Sequence, residues 1–320
     1  DERLRMSLSF QTMYLGLSPY DAPATFSLLP YTEMAMGIWF PKGGLYAVPL
    51  ALERLARELG VKFRLSTPVD RIIAGDGRVE GVKLGDGTVE KHDAVVANAD
   101  LPYAYRKLIP EATLPRADKL RYTSSAFMMY LGVKGKYPNL EHHNVLFGSK
   151  YRETFEDIFV KQVLPEEPAF YVNRPSATDP SLAPPDHDAL YVLVPVPHQT
   201  ENIDWSKAAP LLRERILDLM EQRLGLTDLR RRIVVEHTLT PDGWADRFNL
   251  EKGAAFGLSH HFWQVGALRP STRDATFKNL YFCGASTQPG TGVPLCMLSA
   301  KIVAERVSRE LAELPQSTAA

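Results

Sequence analysis

Hydrophobic and polar residues alternate along residues 61–98, and this pattern predicts β-strands. Successive side chains of a strand point to opposite faces, so a strand with one buried face shows apolar residues at every second position. The dipeptides Asp76-Gly77 and Asp86-Gly87 interrupt the pattern and are typical of tight hairpin turns. The strands predicted here cover residues 61–65, 69–72, 79–84 and 93–97. The last of them is apolar almost throughout, which indicates a buried strand.

Other segments repeat their apolar residues every three to four positions, as amphipathic helices do. The clearest stripe consists of Val48, Leu52, Leu55, Ala56 and Leu59. Gly60 follows it, and a glycine just past the last turn commonly ends a helix. The helices predicted in this way cover residues 45–59, 151–161, 210–224 and 295–311. We expect the chain to close as a surface helix and a frayed tail over residues 300–314.

Residues 101–275 show strands grouped around two helices, without the strict alternation of strand and helix that parallel sheets require. The strands predicted there cover residues 126–133, 144–147, 169–173, 190–196 and 233–236. This order favours an antiparallel sheet with helices on one side. The fold class expected for the whole chain is α/β plus α+β. We divide it into residues 1–40, 41–100, 101–275 and 276–320.

A glycine-rich loop near the C-terminus carries the strongest indication of function. An apolar strand from Asn279 leads into a loop with Gly284, Gly290 and Gly292, and a helix begins near Pro294. Glycines let the backbone approach a bound group closely, and a helix start offers free N–H groups and the positive end of the helix dipole. The loop therefore predicts a seat for an anionic or electron-rich group. It lacks the Gly-Lys-Ser/Thr of a Walker loop and the spacing of a dinucleotide fingerprint.

Composition and charge narrow the function further. The chain has 320 residues, 45% of them hydrophobic, and a formal net charge of -1, so we expect no nucleic-acid partner. Two cysteines, Cys283 and Cys296, form no disulfide framework and fit a reducing compartment. The histidines show no metal-ligand spacing, so we expect no metal. The sequence contains no run of 18 apolar residues, so we expect no membrane-spanning helix. The chain starts at Asp1 without Met, which indicates a fragment or a processed chain.

Residues 3–40 are rich in methionine and aromatic residues, among them Met13 and Trp39, and poor in charge. Two interpretations are open. These side chains fill a core, which is the common role of such residues. Alternatively, they line an apolar tunnel or an edge that faces a membrane.

Several motifs resemble those of the bacterial and fungal phytoene desaturases. The stretch Asn-Leu-Tyr-Phe-Cys-Gly-Ala-Ser-Thr-Gln-Pro-Gly-Thr-Gly-Val-Pro at residues 279–294 is similar to the flavin-binding signature of that family. Phe-Pro-Lys-Gly-Gly at 40–44 and Val-Val-Ala-Asn-Ala-Asp at 95–100 match further family motifs in the same order. The resemblance covers about residues 1–308.

The resemblance implies a partial FAD-binding Rossmann-like domain of the amine-oxidase type and an antiparallel-sheet substrate domain. It implies FAD-dependent desaturation of a carotenoid precursor such as phytoene, by hydride transfer to the flavin. The partners implied are an apolar polyene, a membrane surface, and oxygen or a quinone as electron acceptor. The implied location is cytoplasmic and peripheral to a membrane. The residues expected to bind the cofactor are Val69, Asn98, Gly284, Ala285, Ser286, Gly290, Gly292, Val293 and Pro294.

One family motif has no counterpart in this sequence, the Gly-x-Gly-x-x-Gly turn that binds the pyrophosphate. We therefore expect these 320 residues alone to bind FAD weakly or not at all. The alternatives are a carotenoid isomerase, a desaturase of C30 or hydroxylated carotenoids, and an incomplete fragment that binds a hydrophobic ligand. No catalytic residue can be assigned. Asp100, Glu33 and His198 are candidate proton acceptors, for which structural roles are the simpler interpretation.

Overall fold

The computed structural model describes residues 1–312 and divides the chain into two compact units. The first unit, called unit 1, comprises Asp1–Gln11, Thr25–Phe63 and Ser124–Arg247. The second, unit 2, comprises Thr12–Ala24, Arg64–Thr123 and the described residues from Phe248 onward. Both units are therefore built from segments that are distant in sequence.

The helices and strands are numbered in chain order. The helices are α1 (Glu2–Ser9), α2 (Leu28–Met36), α3 (Ala47–Glu58), α4 (Leu101–Tyr103), α5 (Tyr151–Glu156), α6 (Trp205–Arg223), α7 (Leu229–Arg232), α8 (Pro241–Phe248) and α9 (Val293–Ala312). The strands are β1 (Val69–Gly75), β2 (Arg78–Leu84), β3 (Val89–Lys91), β4 (Val95–Ala97), β5 (Ser125–Lys134), β6 (His143–Leu146), β7 (Phe170–Asn173), β8 (His187–Val196), β9 (Ile233–Leu239) and β10 (Leu280–Phe282). Single π-helical turns extend α4 and α5, over Ala104–Leu108 and Asp157–Lys161.

Unit 1 is organised around a five-stranded sheet in the order β6-β7-β8-β5-β9, and every neighbouring pair is antiparallel. One face of β5 and β8 packs against α6 to form the core, where Ile216, Leu217 and Met220 are fully buried. Arg213 of α6 also pairs with Glu236 of β9, which ties the helix to the edge of the sheet. The predicted antiparallel sheet with helices on one side is confirmed.

Unit 2 contains a three-stranded hairpin sheet, β1-β2-β3, and a short parallel pair, β4 and β10. Asp76 and Gly77 both have positive φ in the turn between β1 and β2, as a tight two-residue hairpin requires. The hairpin packs on the parallel pair in one apolar cluster that includes Ile72, Leu280 and Phe282. These elements bring two distant parts of the chain, near residues 95 and 280, side by side.

Some predicted elements differ in the structure. The strand predicted over residues 61–65 is wrong, because this stretch is irregular and pairs with no strand of the described chain. The predicted buried strand 93–97 is only β4, in which Val96 remains 44% exposed. The helix predicted over residues 45–59 is present as α3, but none of its side chains is fully buried, and Val48 and Ala56 of the apolar stripe are only partly buried. Alternation and periodicity mark local conformation, whereas burial depends on neighbours that are distant in sequence.

Other boundaries stay open. Residues 313–314 of the predicted C-terminal tail lie outside the described residues. The functional division at residues 40, 100 and 275 stays a prediction. Among residues 1–312, no helix combines the length and the apolar character that a membrane crossing requires.

Candidate functional site

The candidate site lies where the parallel strands β4 and β10 end. Asn98 and Asp100 follow β4, and Cys283 and Gly284 follow β10. The carboxyl ends of parallel strands meet at one edge of a sheet, which is where open α/β folds bind their ligands. The Asn98 side chain links the two ends by donating a hydrogen bond of 3.0 Å from Nδ2 to the carbonyl oxygen of Cys283.

Two glycines of the loop combine a positive φ with a close side-chain neighbour. Gly284 has a φ of +110°, and a Cβ placed there would lie 2.8 Å from Nδ2 of Asn98. Gly290 has a φ of +151°, and its Cβ would lie 2.6 Å from Nε2 of His260. At such distances the neighbouring side chain would have to shift, and both Asn98 and His260 are held by hydrogen bonds to the loop. These two glycines therefore let the loop pack on its own supports.

Gly292 differs, because its backbone faces open space. It is exposed, has a φ of +100°, and a Cβ placed there would meet no atom within 4 Å. Val293 beside it is 50% exposed and begins α9, and Pro294 lies in the first turn. The first N–H groups of a helix lack partners within it and carry the positive end of its dipole. Gly292, Val293 and Pro294 thus form an open stretch of backbone at the start of α9, which we call the open seat, and its role in binding stays a prediction.

Buried hydroxyl groups hold the inner side of the loop. Ser299, from the second turn of α9, is fully buried, and its Oγ accepts a hydrogen bond of 3.2 Å from the N–H of Gly284. Thr287 donates from Oγ1 to the carbonyl oxygen of Gly284 at 3.1 Å. The loop is consequently tied to the helix that follows it as well as to the strand that precedes it.

Asp100 connects the loop to a neighbouring segment. Its carboxylate accepts a hydrogen bond from the hydroxyl of Ser286 and another, of 2.9 Å, from the N–H of Glu251. Burial raises the pKa of Asp100 above its ordinary value, while these two hydrogen bonds lower it. Both carboxylate oxygens are thus engaged in holding backbone segments, which favours the structural role for this candidate proton acceptor.

Two residues that support the loop, His260 and Arg269, could not be identified from the sequence. His260 is 2% exposed and accepts a hydrogen bond of 3.1 Å from the N–H of Thr291 at Nε2. Burial, together with the nearby Arg269, lowers the pKa of His260 to about 3, so the ring is neutral and Nε2 is free to accept. Arg269 is also 2% exposed, and its guanidinium donates to the carbonyl oxygens of Ala285 and Thr287 within the loop. A histidine pair and a Leu-Arg-Pro sequence show no pattern from which these contacts could be inferred.

The structure brings together most, but not all, of the residues proposed to bind the cofactor. Ala285 lies in the loop, where its carbonyl oxygen accepts a hydrogen bond from Arg269 at 2.5 Å. Val69 lies instead at the start of the hairpin sheet, paired with Leu84 and 38% exposed. None of the hydrogen bonds that hold the loop reaches that position, so its role stays a prediction.

The other candidate proton acceptors belong to unit 1. Glu33 accepts a hydrogen bond of 2.5 Å from the side chain of Gln11, and burial raises its pKa. His198 contacts the carbonyl oxygen of Gln199 through Nδ1, at 2.9 Å. Neither contact distinguishes a proton acceptor from a structural residue.

Comparison with known proteins identifies the family. Residues 1–308 match the model of the family described as flavin containing amine oxidoreductases. A zeta-carotene-forming phytoene desaturase of Myxococcus xanthus is 57% identical over 310 residues, which are 96% of this chain and 60% of that protein. A phytoene desaturase of Fusarium fujikuroi is 42% identical over 97% of this chain and 58% of its own length. The chain therefore spans about three fifths of the curated relatives it matches.

Solved structures agree on the fold. An oxidoreductase from Methanosarcina mazei superposes with a TM-score of 0.63 at 20% identity, over 95% of this chain and 65% of that one. A protein from Pyrococcus furiosus superposes with a TM-score of 0.57 at 16% identity, over 95% and 63% of the two chains. At these identities the likeness concerns the fold alone.

The residues present fit the cofactor class of this family. The open seat lies at the N-terminal end of α9, a Cβ at Gly292 would meet no atom within 4 Å among the described residues, and buried side chains hold the loop behind it. The match over residues 1–308 confirms the predicted flavoprotein fold class and the prediction of a flavin cofactor. The chain belongs to the family of flavin containing amine oxidoreductases.

Proposed function

We propose that the protein containing this chain desaturates a carotenoid precursor such as phytoene, with FAD as the cofactor. The observation that carries the proposal is the open backbone seat at Gly292, Val293 and Pro294, held from behind by buried side chains. The relatives named as phytoene desaturases, from a bacterium and a fungus, support the choice of substrate.

The chemistry explains why a cofactor is needed and what the chain contributes. Removing hydrogen from a saturated C–C bond requires a hydride acceptor, and the oxidised flavin supplies one. Gly292 and the first turn of α9 would bind the flavin through backbone N–H groups. Such groups stabilise negative charge without adding a titratable side chain.

One face of the unit 1 sheet supports an apolar, elongated substrate. Opposite the face covered by α6, aromatic rings from four neighbouring strands form a row: Tyr130, Tyr191, Tyr171 and His143. Their successive ring centroids are 5.4, 6.4 and 5.9 Å apart. Burial raises the pKa of Tyr191 to about 12, so its hydroxyl stays neutral near pH 7. A row of uncharged rings suits a flat polyene better than a polar metabolite.

Residues 28–40, which we call the apolar segment, support docking on a membrane surface. Met34 is 81% exposed and Trp39 is 89% exposed, and Glu33 is the only charged residue of the segment. The indole N–H of Trp39 already donates to the carbonyl oxygen of Met36, at 3.1 Å, so the ring can leave water without losing a hydrogen bond. Met13, in contrast, is buried, with 6% of its surface exposed. This difference in exposure supports a membrane-facing role for residues 28–40 and a core-filling role for Met13.

The test is conversion of carotenoids in liposomes by the full-length protein, with FAD and either oxygen or a quinone as acceptor. Phytoene and 4,4′-diapophytoene are offered separately, because a relative from Methylomonas is named as a desaturase of the latter. The proposal expects products of phytoene that have lost two hydrogen atoms per step. A product of unchanged mass would identify an isomerase instead. Binding without any change of the polyene would identify a ligand-binding protein, and either result would overturn the proposal.

A further inference from the structure

Arg269 is a buried cation behind the loop, and all of its hydrogen-bonding capacity is used. A guanidinium has five N–H donors. In unit 2 these five donors meet five backbone carbonyl oxygens, those of Leu258, Ser259, Gln264, Ala285 and Thr287. The distances range from 2.5 Å, for Ala285, to 3.2 Å, for Gln264. The side chain therefore joins the segment at 258–264 to the loop at 285–287.

This arrangement is unusual in its acceptors. Buried arginines are commonly paired with carboxylates, because an unpaired charge in the interior is costly. Within residues 1–312, the acceptors described for Arg269 are all main-chain oxygens. Burial lowers the pKa of Arg269 to about 10, and the group still carries its charge at neutral pH. Burying this charge costs free energy, and all five N–H donors of the guanidinium bind main-chain oxygens. We infer that the side chain serves to hold that stretch of main chain in position.

Asp100 also holds the loop, at a residue that lies between the two loop residues bound by Arg269. Arg269 binds the carbonyl oxygens of Ala285 and Thr287, while Asp100 accepts the hydroxyl of the intervening Ser286. Three consecutive residues are thus fixed by two oppositely charged groups. Only Gln288 and Pro289 separate these three residues from Gly290, Thr291 and Gly292, where the open seat begins.

We propose that Arg269 is a positioning residue for the cofactor: its guanidinium fixes residues 285–287 and thereby the geometry of the seat at Gly292. The inference rests on the proposed flavin-binding role of that seat. Arg269 itself lies behind the loop and acts through the main chain. Because five carbonyls must be reached from one side chain, the fork of arginine is required and a positive charge alone is insufficient. Lysine has only three donors, on a single nitrogen.

The test compares Arg269→Lys with Arg174→Lys in the full-length protein. Arg174 is the matched control, since it is also buried, at 9% exposure, and binds Asp188 and the carbonyl oxygen of Leu140 in unit 1. The dissociation constant of FAD and the visible circular dichroism of the bound flavin are measured well below the melting temperature of each variant. We expect Arg269→Lys to raise the dissociation constant about tenfold or more, equivalent to one lost charge-assisted hydrogen bond. Arg174→Lys should lower the melting temperature and leave both flavin measurements unchanged.

The outcomes separate the two claims. If Arg269→Lys bound FAD as the wild type does, with the same circular dichroism, the positioning role would be refuted while the proposed function stood. If the wild type bound no flavin, the proposed function itself would fail. Should Arg269→Lys not fold, Ser286→Ala tests the same three-residue clamp from the side of Asp100. That variant must then weaken flavin binding, and unchanged binding would count against the inference.

Discussion

At the scale of single residues, the loop between β10 and α9 depends on polar side chains that are almost completely buried. Ser299, His260 and Arg269 each bind main-chain groups of the loop or its neighbours. Loops rarely have so many internal hydrogen bonds, because most of them satisfy their backbone with water. The consequence is a loop whose exposed backbone at Gly292 is held in one position before a ligand arrives, which lowers the entropic cost of binding.

The importance of Gly292 can be separated from backbone strain by a matched pair of substitutions. Gly292 and Gly87 have φ values of +100° and +88°, and at both positions a Cβ would meet no atom within 4 Å. Gly292→Ala and Gly87→Ala should therefore strain the backbone to a similar extent. We expect only Gly292→Ala to reduce the flavin content of the purified full-length protein, because its methyl group would stand where the cofactor is proposed to lie. Equal flavin content in the two variants would argue against the seat.

The lowered pKa of His260 predicts that the free energy of unfolding of unit 2 decreases at acidic pH. Its pKa is lowered from 6.5 to about 3 in the folded state, by burial and then by Arg269. Between these values the unfolded chain binds a proton that the folded chain does not, so stability falls as the pH drops from about 6.5 towards about 3. The steepest loss is roughly 1.4 kcal/mol per pH unit for one proton. The raised pKa of Asp100 acts in the opposite direction and is common to all the proteins compared.

The measurement is the free energy of unfolding by urea at several pH values for the wild type, His260→Gln and His237→Gln. His237 is an exposed histidine of β9 and serves as the control. Glutamine at position 260 retains an acceptor for Thr291 but cannot take up a proton. We expect His260→Gln to flatten the pH dependence and His237→Gln to leave it nearly as in the wild type. An unchanged slope in His260→Gln would show that this histidine is not held neutral.

At the scale of elements, sequence patterns predicted the helices, strands and turns whose conformation depends mainly on their own residues. The strands β5 and β8, the turn at Asp76-Gly77 and the start of α9 follow directly from alternation, turn chemistry and the proline near the helix start. The strand predicted over residues 61–65 fails because alternation does not supply a pairing partner. The contacts of Arg269 were beyond prediction, since an arginine is rarely buried and nothing local marks this one.

Asn279 shows how a signature residue can be structural. Its side-chain amide accepts a hydrogen bond of 2.6 Å from the N–H of Val79 and donates to the carbonyl oxygens of Val79 and Asp93, both at 2.7 Å. It thereby joins the hairpin sheet and the start of β4 to the start of β10. Its place in the family motif is explained by this role, with no contact to a cofactor required.

Replacing Asn279 should loosen the platform that carries the loop. Asn279→Ala removes three hydrogen bonds, two of them buried, and leaves backbone groups unpaired, which costs about 3 kcal/mol. A loss of this size corresponds to roughly a hundredfold, and we expect hydrogen exchange of the amides in residues 79–97 to accelerate by that factor. Asn139→Ala, which removes one exposed hydrogen bond to Leu224, is the control and should leave exchange there unchanged. Equal protection of residues 79–97 in both variants would contradict the tether.

At the scale of the whole molecule, the proposed function needs a polyene to leave a bilayer and reach the protein. Burial of apolar surface contributes about 25 cal/mol per Å² whether the polyene lies in lipid or in the protein. Transfer through water would lose this free energy, so we expect the protein to lie against the lipid while the polyene moves. The apolar segment offers exposed methionine and tryptophan side chains for that contact. The aromatic row on the unit 1 sheet offers an apolar surface beyond it.

Charged substitutions in the apolar segment should release the protein from membranes. We expect Met34→Glu combined with Trp39→Glu to abolish flotation with liposomes, while circular dichroism stays that of the wild type because both side chains lie at the surface. Leu211→Glu combined with Val160→Glu is the control, since these two residues are each 73% exposed in other parts of unit 1. Continued flotation of the Met34/Trp39 variant, or equal loss in the control, would refute docking through this segment.

The most direct measurement of the central claim is anaerobic titration of the flavin-loaded full-length protein with phytoene in liposomes. The proposed function predicts that the absorbance of the oxidised flavin disappears in proportion to the double bonds formed, as counted by chromatography of the extracted carotenoids. Admission of oxygen or a quinone should restore the absorbance if that acceptor is the one used. New double bonds formed with no change in the flavin, or a flavin that phytoene never bleaches, would contradict the account.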